Sequence, residues 1–266
     1  MTAFESYEVH RKDRDGNEIR LTGRAIGAAN GSTVVMLASL GRPGSDFDDL
    51  AERLALKGYR VILPEPRGIG GSEGPMRGLS LHDLAADVAY VVETQAASTP
   101  IALLGHAFGN RLARTTAADY PELFSRVILL ACGGLIEMPE ESRKALIGCF
   151  DESLSPEEHI ECVRKGFFAD GNDPEVWRGG WYPLVMRMQS SAVRKTDVED
   201  WWEAGGQPML VVQALDDVIA LPANAQDIKQ RLGDRITLAE LPDAGHAMLP
   251  EQPAEIARIV EDYLAT

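Results

Sequence analysis

Five short, almost uninterrupted apolar runs, interleaved with stretches of helical period, constrain this chain more than any other feature. They occupy residues 33–37 (TVVML), 59–64 (YRVILP), 101–105 (IALLG), 127–131 (VILLA) and 209–213 (MLVVQ), and 236–241 is a weaker sixth. A strand that is apolar at every position has no face to offer water, so each belongs in a sheet covered on both sides. Helical patterns at 46–56, 80–95, 110–120, 222–232 and 250–264 supply the cover; in the second, Leu81, Leu84, Val88 and Val91 share one face. Repeated strand, helix and strand imply βαβ crossovers and parallel pairing. Upstream, two polar alternating segments at 5–11 and 18–26 flank Asp15-Gly16-Asn17, a hairpin turn that adds an antiparallel edge. The expected class is α/β, with a mostly parallel eight-stranded sheet and helices on both faces.

One stretch breaks the alternation. From 135 to 203 there is no apolar strand, only acidic segments of helical character and the four tryptophans Trp177, Trp181, Trp201 and Trp202. An insertion of this kind is expected to form a helical cap over the carboxyl ends of the strands, with 1–134 and 204–266 making the core. A chain of 266 residues, 45% hydrophobic and 25% charged, has the composition of a globular domain and not of a disordered one.

Lys and Arg total 26 against 41 Asp and Glu, a formal net charge of −15. That balance opposes nucleic acid and anionic membrane as partners, because both are recognised by clustered cations. No run reaches the about 18 apolar residues of a membrane span, and the first residues lack the apolar region of a signal peptide. Cys132, Cys149 and Cys162 are too few and too irregularly spaced for a disulfide framework. No His, Cys or carboxylate cluster has metal-ligand spacing. The expectation is a cytoplasmic protein acting on a small molecule, without cofactor or metal, for which a homodimer is an ordinary state.

The segment that carries chemistry is Leu103-Leu104-Gly105-His106-Ala107-Phe108-Gly109-Asn110-Arg111. An apolar strand passes through Gly-x-x-x-Gly directly into a helix, and the two glycines relieve the clashes of a sharp turn around a strained middle residue. In the motif G-x-S-x-G that residue is Ser; here it is Ala107. On these residues the chain resembles the α/β-hydrolase family, from the strand at 33 to the last helix. Residues 59–72 (YRVILPEPRGIGGS) are similar to a family strand and its loop, with Glu65 where Asp is commoner. The insertion falls where the family places its lid. Gly68-Ile69-Gly70-Gly71-Ser72 lacks the Lys-Ser/Thr ending of a phosphate loop.

The resemblance implies nucleophile, acid and histidine in chain order. Residues 213–222 (QALDDVIALP) are similar to the acid loop and favour Asp217 over Asp216. Asp243-Ala244-Gly245-His246-Ala247-Met248, followed by Pro250-Glu251-Gln252-Pro253, is similar to the histidine loop. Asp217 would then orient the His246 imidazole so that its other nitrogen can take a proton. An oxyanion hole is implied from the backbone N–H groups of Phe108 and Leu40. Leu40 belongs to Ala38-Ser39-Leu40-Gly41-Arg42, where Ser39 replaces a glycine of the family and either stabilises the turn or brings a hydroxyl to the reaction centre. His106 and Phe108, which flank Ala107, are expected at the substrate. Trp177 and Trp181 either line a pocket under the cap or form its core.

Ala107 leaves three functional classes open: a hydrolase of esters, thioesters, lactones or C–C bonds with its serine replaced; a lyase, isomerase or hydrolase that uses His246 and Asp217 as a general base; and a binding protein. Loss of the serine alone costs a serine protease about a millionfold in kcat, so an acyl-enzyme is closed to the chain while Ala107 stands there.

Overall fold

The computed structural model describes residues 3–266. In chain order, β1 (Glu5–Lys12), β2 (Glu18–Ile26) and β3 (Thr33–Leu37) precede α1 (Asp48–Leu56), β4 (Arg60–Pro64), α2 (Leu81–Gln95), β5 (Ile101–His106), α3 (Phe108–Asp119) and β6 (Phe124–Leu130). Four helices follow without a strand: α4 (Glu140–Gly148), α5 (Pro156–Phe167), α6 (Pro183–Arg194) and α7 (Val198–Trp201). The chain returns through β7 (Met209–Ala214), α8 (Pro222–Leu232), β8 (Ile236–Leu241), α9 (Met248–Glu251) and α10 (Pro253–Leu264).

The eight strands form one sheet in the order β1-β2-β4-β3-β5-β6-β7-β8. The β1–β2 and β2–β4 pairs are antiparallel and all the others parallel. Alternation along each strand explains the uninterrupted apolar runs. Val35, Leu103, Leu129 and Val211 join α2, α3 and α8 in one core. Their neighbours Val34, Leu104, Ile128 and Val212 join α1 and α10 in another, on the opposite face. The single helix expected at 250–264 is broken at Gln252, which has φ −133° and ψ 52°. Pro253 disfavours helical backbone in the residue before it, and so divides the segment into α9 and α10.

The insertion between β6 and β7 divides in two. Cys149, Phe150, Ile160, Val163, Phe167 and Trp177 gather α4, α5 and the following loop into a second, smaller core that Ala247 of the histidine loop completes. By contrast Val185, Met188 and Ala192 of α6, with Trp201 and Trp202, join α2 and α3 in the main core. The two halves of the insertion thus pack into different cores.

β3 lies between β4 and β5, so the chain leaves β3 toward one side and later returns on the other. The loops that follow β3 and β5 therefore part, and a crevice opens outside the carboxyl ends of these strands. Among the described residues no helix is long and apolar enough to cross a membrane, and no His, Cys, Asp and Glu group could hold a metal ion.

Candidate active site

Ala107 joins β5 to α3 with φ 51° and ψ −107°, a backbone region that costs a non-glycine residue roughly 1–3 kcal/mol. The flanking glycines make the turn sterically possible. A Cβ on Gly105 would lie 2.2 Å from the carbonyl group of Gly109, and one on Gly109 would lie 2.0 Å from the carbonyl oxygen of Leu37. The turn is tied to the sheet by the Ala107 N–H, which donates to the Leu130 carbonyl at 3.0 Å, and by the Asn110 amide, which donates to the Ala131 carbonyl at 3.0 Å.

A cleft of about 1080 Å³ opens over this turn, and Ser39, Leu40, Ala107, Phe108 and His246 all line it. His246 Nδ1 lies 2.9 Å from Asp217 Oδ2, with both side chains almost sealed from water. The other Asp217 oxygen accepts the N–H groups of Ile219 and Ala220, each at 2.8 Å. The carboxylate is thus fixed on three sides and meets His246 at Nδ1, which leaves Nε2 as the nitrogen free of it. The neighbouring Asp216 is exposed and donates its N–H to the Ala244 carbonyl; it does not meet His246.

The histidine loop is tied to the end of α5 and the residues after it. Glu251 accepts the Gly245 N–H at 2.8 Å on one oxygen and, on the other, the Ala169 N–H at 2.8 Å and the Asn172 amide at 2.6 Å. The Ala247 N–H donates to the Phe167 carbonyl at 2.7 Å. Burial raises the Glu251 carboxyl above the ordinary glutamate range. This clasp has no motif of its own; only the packing of α5 against the loop reveals it.

The loop after β3 is fixed in the same manner. Gly41 N–H donates to Gln189 Oε1 at 2.7 Å, and Arg42 N–H closes the turn on the Ser39 carbonyl at 3.2 Å. The Ser39 hydroxyl forms no hydrogen bond among the described residues, so backbone and not side chain stabilises the turn. Among the described residues no acceptor meets the Leu40 N–H, and none outside its own helix meets the Phe108 N–H, one of the amides that a helix start leaves open.

Three expected contacts fall elsewhere. His106 is 1% exposed and does not line the cleft. As the last residue of β5 it shares the packed side of Leu104, and its Nε2–H donates to the His246 carbonyl at 2.8 Å. Burial, with His246 beside it, pulls its pKa down to about 3. Trp177 and Trp181 also lie behind the cleft wall, where Phe167 and Met186 face the opening instead. The two indoles enclose the Arg42 guanidinium at 4.3 and 4.4 Å from their ring centroids. Arg42 in turn donates to both Asp46 oxygens at 2.8 Å and to the Gly179 carbonyl at 2.7 Å. A segment of a few short helices has little else to bury, and its largest aromatics become its core.

The chain matches the model of the Alpha/beta hydrolase family over residues 34–259. It is similar to Protein ABHD8 of Homo sapiens, 24% identical over 224 residues that cover 78% of this chain and 49% of that protein. It is also similar to 2-(acetamidomethylene)succinate hydrolase of Mesorhizobium japonicum, 30% identical over 139 residues that cover 52% of this chain and 45% of the relative. The chain spans about half the length of these curated relatives. Among solved structures, a thermophilic esterase from Thermogutta terrifontis superposes with a TM-score of 0.79 at 21% identity over 98% of both chains, a likeness of fold. The family match over most of the chain, together with the sheet order and the strand-to-helix turn, places it in the alpha/beta hydrolase family.

Proposed function

We propose that the cleft over Ala107 is an acyl-transfer site for a small ester, thioester, lactone or activated C–C bond, and that Ala107 stands in the nucleophile's place. The observation that carries this reading is the His246–Asp217 pair, held at 2.9 Å in the same cleft as a strained turn that presents a single Cβ to it. With serine at 107, Oγ would attack the substrate carbonyl while His246 Nε2 takes its proton. Asp217 would stabilise the imidazolium, and the Leu40 and Phe108 N–H groups would receive the oxyanion. His246 would then pass the proton to the leaving oxygen, sulfur or carbon, and repeat the transfer with water to release the acid.

The methyl group of Ala107 cannot take the first step. The test is Ala107→Ser assayed on short p-nitrophenyl esters and thioesters: turnover that His246→Ala abolishes is expected, and no turnover with a correctly folded variant would refute the reading. A second reading rests on the same pair, which is fully assembled although the turn offers no oxygen. In it, His246 draws a proton from water or from substrate, and His246→Ala in the otherwise unaltered chain removes the activity. A binding protein without chemistry would keep its ligand affinity after that substitution.

A further inference from the structure

The cleft is cationic in a chain whose net charge is −15. Arg111, Arg143, Arg187 and Arg194 line it against two carboxylates, Glu137 and Glu140. Arg143 is paired with Glu140, its Nε donating at 2.9 Å. The other three arginines have no carboxylate within ion-pair distance among the described residues, whereas most arginines of the chain have one.

Arg111 is the best placed. It lies four residues into the helix that starts at the Ala107 turn, about 6 Å along the axis. Arg114, one turn further on, places its donors on the Asn110 carbonyl at 3.3 Å, Asn110 Oδ1 at 3.1 Å and the Gly133 carbonyl at 3.0 Å. Arg111, only partly buried where Arg114 is sealed, uses none of its side-chain donors on the protein; its guanidinium lies 5.8 Å from the Trp201 ring and borders the cleft. Also lining the cleft, Arg187, Ser190 and Arg194 follow one another at i, i+3 and i+7 of α6 and so form one stripe on that helix. The five donors of Arg111 are open to the cleft and its solvent, and the planar fork they form matches the two oxygens of a carboxylate.

We propose that this cleft takes substrates carrying a free carboxylate at some distance from the reacting carbonyl, with Arg111 as the anchoring residue and Arg187 and Arg194 drawing the anion in. The proposal rests on the acyl-transfer reading for the carbonyl end and on the arginines alone for the anion end. The acidic surface elsewhere disfavours polyanions, so a single carboxylate is the class that fits.

The experiment has two arms. In the first, Ala107→Ser is assayed with the p-nitrophenyl hemiesters of malonate, succinate and glutarate beside p-nitrophenyl 4-methylpentanoate, the uncharged counterpart of the hemisuccinate. A kcat/KM for the best hemiester about tenfold to a hundredfold above the neutral ester is expected. Arg111→Gln should collapse that ratio and Arg111→Lys should restore part of it. A ratio near one, or one that Arg111→Gln leaves unchanged, overturns the proposal. In the second arm, calorimetry measures the binding of monomethyl malonate, monomethyl succinate and monomethyl glutarate, each with one free carboxylate, to the unaltered chain. Binding that weakens at least about tenfold in Arg111→Gln, with an unchanged melting temperature, supports the anion site even if Ala107→Ser proves inert. No binding of any of the three overturns it even if neutral esters are hydrolysed.

Discussion

Ala107 holds a strained backbone at the cleft, with φ 51°, and carries only a methyl group. The conformation survives because its neighbours leave no alternative: Gly105 and Gly109 bring β5, α3 and the end of β3 so close that neither tolerates a Cβ. Gly109→Ala should therefore cost about 3 kcal/mol in a urea titration, since the atom it meets is backbone and cannot swing aside. His106 gives a second prediction. Buried and neutral, it refuses a proton until about pH 3, whereas in the unfolded chain it accepts one near its ordinary 6.5. Between those values the unfolded state binds the extra proton, so stability falls as pH falls, by about 1.4 kcal/mol per unit from this residue, with no such slope above the window. Urea midpoints from pH 7 to 4 should show it, and His106→Gln, which keeps the donor to the His246 carbonyl, should flatten it. The Gly-x-x-x-Gly turn and the Asp217 and His246 loops were legible in the sequence because each is a local pattern fixed by backbone needs. The direction of the His106 ring was not, because it depends on which residue is the last to keep the pleat of β5.

At the scale of elements, the loops that carry the site are gripped from outside the sheet. Glu251 in α9 joins the histidine loop to the end of α5, and Gln189 in α6 joins the loop after β3 to the main core. Glu251→Ala would leave the Gly245 and Ala169 N–H groups and the Asn172 amide without their acceptor, and should cost about 2 kcal/mol in thermal or urea unfolding. In the Ala107→Ser background it should lower kcat more than it raises KM, because His246 loses its position and not its substrate. Glu251→Gln keeps one acceptor oxygen and should recover part of both. The elements themselves were readable, since strands buried on both faces and amphipathic helices leave unmistakable periods. The split of α9 from α10 follows from Pro253, whose effect on the residue before it interrupts an otherwise continuous helical period. That α6 and α7 pack with the main core, and that Trp177 and Trp181 clamp Arg42, came only from three-dimensional packing, for which a tryptophan-rich helical stretch carries no distinguishing pattern.

For the whole molecule, the site's location follows from topology: the divergence of the chain on either side of β3 opens the crevice, and the loops after β3, β5, β7 and β8 all reach it. Net charge, by contrast, concealed the cleft's own sign, because composition averages over a surface on which Arg111, Arg187 and Arg194 are gathered in one place. On the proposed reading, this architecture lacks only a nucleophilic oxygen. Intact-mass measurement of Ala107→Ser after exposure to a fluorophosphonate tests it most directly. One phosphonyl group per chain is predicted, with none on the unaltered protein and little on Ala107→Ser combined with His246→Ala; a folded Ala107→Ser chain that stays unlabelled would contradict it.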